Sequence, residues 1–216
     1  MITSYSDLLP YVIPELSGCP EPMITQALQR AGRRFCTNTE VWQKELTTMD
    51  IVASQTQYGL DPAEVTDAVG AQPEPEVRKI SWVKISDAQQ EVYTYKLAKY
   101  TGAALVSPAQ TPQYALEFLE DYVPDTAITA GLVVKVVLIP NWNSSYISDF
   151  VLSGYGDAIG SGALVDLMMM PGKPWFNHNR AMFHVDIWDR GIGVAVKDRY
   201  TDRDSADLRV VYQDWL

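Results

Sequence analysis

An α+β fold is predicted for this chain by three observations. Helical periodicity marks both ends, an alternation of period two runs through the middle, and proline- and glycine-bearing breaks separate the alternating runs. Strands that follow one another without helices between them favour antiparallel pairing. The expected architecture is therefore a helical bundle or hairpin, built from the N- and C-terminal segments, with an inserted antiparallel β-sandwich-like module. The expected boundaries are an N-terminal helical segment at 1–45, the β-rich module at 46–140, a C-terminal helical hairpin at 141–203 packing on the first segment, and an extended tail at 204–216.

The first helix is read from Ile24, Leu28, Ala31, Phe35, Thr39 and Trp42, which recur at helical spacing, with Gln26, Gln29, Arg30 and Arg33 opposite. Pro22 suits the first helical position, and Glu21 before it is the cap, although glutamate is not a favoured one. If 22–40 is helical, Cys19 and Cys36 stand about 25 Å apart at 1.5 Å per residue. A disulfide requires Cα atoms within about 7 Å, so both are expected as free thiols.

In the middle, Met49, Ile51 and Ala53 share one face. Ile80 and Trp82 lie opposite Val83 and Ile85, Tyr93 alternates with Tyr95 and Leu97, and Tyr114 with Leu116 and Phe118. "LVVKVVLIP" reads as a mostly buried strand. Breaks are expected at Gly59–Pro62, Gly70–Pro75, Ser107–Pro112 and Pro124–Asp125. The helical period returns from about Tyr146, behind a cap at Asn143, Ser144 or Ser145, to Met170, and again from His178 to Tyr200. The end "DLRVVYQDWL" reads as a strand or docking tail.

Three features imitate chemistry. Gly172-Lys173 resembles the end of a phosphate loop, but Leu167 stands where the first glycine belongs and Pro174 where Ser or Thr belongs. "PGKPW" instead reads as a corner between helices. Pro171 stops one helix, Gly172 supplies the left-handed conformation, Pro174 stiffens the exit and Trp175 follows. Gly154 to Gly162 holds four glycines but follows no parallel strand, so it reads as a close-packed helix rather than a dinucleotide turn. His178 and His184 are six apart, nearly opposite on a helix, and each is expected as a surface or capping histidine rather than a metal ligand. No catalytic, cofactor or metal site is assigned.

Net charge is −10, and residues 46–140 carry twelve acids against six bases. Such a field repels nucleic acid. No run of about 18 apolar residues is present, and the start lacks a basic n-region, so the expectation is neither a membrane span nor a signal peptide. Leu167 to Met170 sweep most of a helical circumference, and the next helix carries two apolar stripes, Ala181/Val185/Trp188/Ile192/Ala195 and Phe183/Ile187/Val194. Met168, Met169, Trp188 and Ile192 are candidates for packing or for an oligomer interface.

Asp7 to Gln43, with "GCP-P" leading into a tryptophan-ended helix, and Leu167 to Ala195, where a Leu/Met run enters "PGKPW", resemble the head–tail adaptor proteins of tailed bacteriophages. This is the connector-ring family that includes tail tubular protein A–like members. Between these ends only "YALEF" and "VVLIP" carry the likeness. Glu21 departs from the aspartate expected as cap, and "RVVYQDWL" is less basic than expected. The resemblance implies a non-enzymatic virion protein assembled in the bacterial cytoplasm. It implies a homo-oligomeric ring, twelve-fold, between the portal protein and a downstream tail or neck protein. DNA would pass through without sequence-specific binding, and no cofactor or membrane is implied. The rival readings are a neck or tail-completion protein with a hexameric ring, and a small nucleotide-binding enzyme using the glycine-rich segment.

Overall fold

The computed structural model describes residues 2–46, 48–60, 75–85, 90–91, 95–99, 114–119 and 127–204. The chain opens on β1 (Ile2–Ser4), not on helix, because its backbone pairs antiparallel with β10 (Tyr146–Ser148). Thr3 Oγ1 donates to Asp149 at 2.8 Å and Tyr5 N–H to the Ser145 carbonyl at 3.0 Å, which extends the clasp. This one pairing overrides two sequence expectations. The segment 1–45 is not helical throughout, and the helix expected from Tyr146 begins only at Asp149. Ser148 stands at its N-cap, and none of the expected caps does: Asn143 donates its N–H to Asn141 Oδ1, Ser144 Oγ accepts from the Tyr146 N–H, and the Ser145 carbonyl accepts from Tyr5.

After a 3-10 turn (Tyr5–Leu8), a single helical turn α1 (Leu9–Val12) and a second 3-10 turn (Ile13–Glu15), helix α2 spans Glu21–Thr39. It buries Ile24, Leu28, Ala31, Phe35 and Thr39, the expected stripe, but stops before Trp42. Glu40 takes the left-handed conformation there (φ 53°) and returns its N–H to the Cys36 carbonyl. Gly32 is required in α2 because the Tyr5 ring lies where a Cβ would project. Cys19 and Cys36 are both free, and complete burial pushes the Cys36 thiol up to about 12.

The β region forms two antiparallel sheets. At the centre of one is β9 (Ile128–Ile139). One edge of it pairs β2 (Gln43–Glu45) and β3 (Met49–Ile51), and the other pairs β5 (Glu76–Ile85), which carries β6 (Gln90–Glu91). In the other sheet β8 (Tyr114–Phe118) lies between β4 (Gln57–Leu60) and β7 (Tyr95–Lys99). Gly59, expected in a break, sits inside β4, opposite Ala115. Tyr93, most of Gly70–Pro75, the Ser107–Pro112 and Pro124–Asp125 breaks and residues 205–216 lie outside the described residues.

Strand β5 departs from its expected alternation for a definite reason. Two register shifts, between Val77 and Lys79 and between Ile80 and Trp82, each insert one residue. The buried positions become Val77, Ile80 and Val83, spaced by three, facing Leu138, Val136 and Val134. Trp82 and Ile85 are only half-buried.

Helix α3 (Asp149–Met168) and helix α4 (His178–Asp204) run antiparallel, since Gly162 meets Trp188, Ala158 meets Gly191 and Tyr155 meets Asp198. α3 stops two residues short of Met170, at Met168, and α4 continues past Tyr200. Helices and sheet are tied at two points. Arg33 donates to the Pro140 carbonyl at 2.5 Å and to Glu76 at 2.7 Å. Glu40 accepts from both Arg199 of α4 (2.6 Å) and Lys79 of β5 (2.5 Å). The apolar core runs unbroken from Tyr5 through α2 and α3 into β9 and β8.

Candidate functional site

The corner at 169–177 is built as a turn between helices. Pro171 ends the run, and Gly172 has φ 76°. The Phe176 N–H bonds the Lys173 carbonyl and the Asn177 N–H the Met168 carbonyl, both at 3.0 Å. Asn177 then caps α4, its Oδ1 accepting from the Arg180 N–H at 3.0 Å. Pro174 is exposed in the exit, and Trp175 is buried beneath the corner, with the Lys173 ammonium 5.9 Å from its ring centre. These contacts make the segment a packed joint.

α3 is enclosed. Ala158 to Leu164 is buried without a break, because the helix lies between α2, α4 and the α1 turn. Its glycines let neighbours in. The Tyr11 ring occupies the Cβ position of Gly160, and the Trp188 ring that of Gly162. Trp188 also meets Phe35 edge-on at 5.7 Å and carries the Arg34 guanidinium at 4.8 Å. It is thus a pin joining three helices, and with Met168 (1 % exposed) it belongs to the chain's own core. Ile192 is half-buried against that core. Met169 lies in the corner, 41 % exposed.

α4 is different. Its first stripe, Ala181, Trp188 and Ala195 with Val185 and Ile192, faces inward. Of the second, Phe183 is 52 % exposed, Val194 is exposed and Ile187 half-buried; Met182 joins them on the outside. The Arg180 guanidinium lies 5.0 Å from the Phe183 ring centre and holds Glu15 by two hydrogen bonds of 3.0 and 2.7 Å. Those bonds keep the Glu15 carboxyl below its usual range.

His178 is exposed at the start of α4. His184, expected at the surface or in a cap, is buried (2 % exposed). It sits on the inward stripe, four residues before Trp188. Its Nδ1 lies 3.3 Å from Ser161 Oγ, which lies 3.4 Å from Tyr11 Oη, while Nε2 has no partner. Burial lowers its pKa, the nearby Glu15 charge opposes that shift, and Arg180 adds to it. Ser161 and His184 are enclosed, so only the Tyr11 end of this chain of polar groups belongs to a surface residue. Among the described residues no group of three His, Cys, Asp or Glu is placed to hold a metal ion, and no helix is long and apolar enough to cross a membrane.

Two surface features were not singled out from the sequence. One is a cleft of about 360 Å³ between the start of α3 and the outer half of α4, walled by Leu8, Leu152, Ile187 and Val194, with Asp157 and Arg190 also lining it. The other is Trp142, 62 % exposed in the turn after β9, with the Arg33 guanidinium 4.5 Å from its ring centre. A single aromatic within "PNWNSS" was the available signal, but sequence does not distinguish a projecting tryptophan from a packed one. Compared with known proteins, the chain matches no family model and no curated sequence.

Proposed function

We propose that this protein is a structural component of a phage virion, a head–tail adaptor whose copies assemble into a ring, twelve-fold, between portal and tail around the DNA channel. The observation that carries the reading is the second stripe of α4. Met182, Phe183 and Val194 stay exposed on a helix whose other stripe already serves the core. Exposed apolar residues grouped on one element mark an interaction surface rather than a monomer's ordinary scatter. The likeness of Asp7–Gln43 and Leu167–Ala195 to connector-ring proteins names the kind of partner, copies of itself on a portal. The acidic balance, −10 overall, suits a channel along which DNA slides without adhering. The role is non-enzymatic and calls for no cofactor, and its place is the head–tail junction of particles assembled in the bacterial cytoplasm.

Native mass spectrometry of the protein mixed with purified portal of the same phage tests this. A portal-bound species with twelve copies is expected. Six copies would favour the hexameric neck protein, and absence of portal binding would remove the adaptor reading. Micromolar binding of NAD or ATP in a calorimetric scan would favour the nucleotide-dependent enzyme instead.

A further inference from the structure

We propose that Trp142 of one copy seats in the α3–α4 cleft of the next copy. The proposal rests on the ring reading above and names the two surfaces that such a ring needs, because a ring forms when two different patches meet head to tail.

The tryptophan is held ready for docking. Its ring is covered by Arg33, and Arg33 is itself fixed by the Pro140 carbonyl and Glu76. A side chain already held in place loses little freedom on binding, and Trp and Arg dominate the anchors of protein interfaces. The receiving cleft, about 360 Å³, falls within the range of roughly 300–1,000 Å³ typical of sites that enclose small ligands, and admits one indole. Its walls leave room that the described residues do not fill. Gly154 on the wall and Gly193 beside Val194 are helical glycines at which an added Cβ would meet nothing. Glycine is disfavoured inside a helix, and no neighbour among the described residues explains either one.

Knob and cleft lie on different sides of the molecule. Arg33 turns toward the sheet, whereas Arg34, the next residue of α2, reaches Asp166 and the Gly162 carbonyl of α3. Asp157 of the cleft is nine residues from Asp166, two and a half helical turns, and so faces away from α2. A copy presenting its knob to one neighbour therefore presents its cleft to the other. Charge is available on both surfaces. Arg190 and Asp157 have no ion-pair partner among the described residues, and the Arg33–Glu76 pair that braces the knob carries both signs.

The test places the photoreactive residue benzoylphenylalanine at position 142 of the full-length chain. ¹⁴N- and ¹⁵N-labelled chains are mixed, with and without purified portal, irradiated and mapped by mass spectrometry. Mixed-isotope cross-links from position 142 to Leu152–Ala158 or Ile187–Val194 are the expected result. Gly154→Leu, which fills the cleft from a position where the side chain meets nothing, should lower their yield at least tenfold without lowering Tm. Mixed-isotope cross-links that land elsewhere and are insensitive to Gly154→Leu would overturn this contact while leaving a ring intact. Absence of any mixed-isotope product, even on portal, would overturn the contact and the ring together.

Discussion

The two helices of the C-terminal hairpin carry a similar signal in sequence, apolar residues around most of the circumference, and meet different fates. α3 is enclosed over Ala158–Leu164 because the chain itself surrounds it there, with α2 on one side, α4 on another and the α1 turn on a third. α4 is apolar on two stripes and only one of them is covered. An apolar circumference reports that something encloses a helix and does not say whether the enclosure comes from the same chain. The glycines track the enclosure position by position: Gly160 and Gly162 of α3 and Gly191 of α4 are met by Tyr11, Trp188 and Ala158, while Gly154 of α3 and Gly193 of α4 face open space.

The comparison breaks most sharply at Leu164, fully buried in α3. Leu164→Ala should cost about 2–5 kcal/mol in urea unfolding, the range for a buried leucine that leaves a cavity. Gly162→Ala comes next, because a methyl group there displaces the Trp188 ring, and should cost about 1–3 kcal/mol by overpacking. Gly172→Val in the corner forces a β-branched residue to φ 76° and should cost at least about 1–2 kcal/mol; an unchanged Tm would contradict the cap geometry. Lys173→Ala beside it should stay within about 0.5 kcal/mol.

A smaller, pH-dependent difference lies where α4 meets α3. The folded pKa of His184 is lowered by burial, so the unfolded chain binds the proton more tightly. Its contribution is therefore complete above the ordinary histidine value of about 6.5 and is lost as pH falls below it. Glu15, hydrogen-bonded to Arg180, acts in the same direction but lower on the scale, losing its contribution only as pH falls through the carboxylate range. Denaturant midpoints between pH 7 and 5 should fall in the native chain and flatten in His184→Gln. The smallest effect sharpens the comparison from the other side. Met182→Gln and Val194→Gln, on the uncovered stripe, should each change stability by less than about 0.5 kcal/mol, yet weaken self-association on portal in the native mass spectrum. A large loss of stability would show that this stripe serves the monomer after all.

Much of the framework was legible. The α+β class, the stripe of α2, the buried run of β9 and the corner at Pro171–Trp175 follow from local rules that act within a few residues: periodicity, proline's missing N–H and glycine's access to positive φ. What misled was non-local. Tyr146–Ser148 has a helix on its C-terminal side, and only a partner 142 to 146 residues away, Ile2–Ser4, makes it a strand. In β5 the alternation was misread because two bulges are set by pairing with β9 rather than by β5's own residues. His184 looked like a surface histidine because nothing in its neighbourhood announces that Ser161 and Tyr11 will close over it.

The sequence by itself determined the coil of α2, the buried strand β9 and the Pro171–Trp175 corner, since those preferences are intrinsic to each short stretch. Only the tertiary structure decided which of the two apolar helices the chain would enclose, that one stripe of α4 would be left facing solvent, and that Trp142 would project on its Arg33 support. Those outcomes depend on which surfaces, distant in sequence, fit together. Burial is a property of neighbours, and a residue's neighbours are chosen by the whole fold.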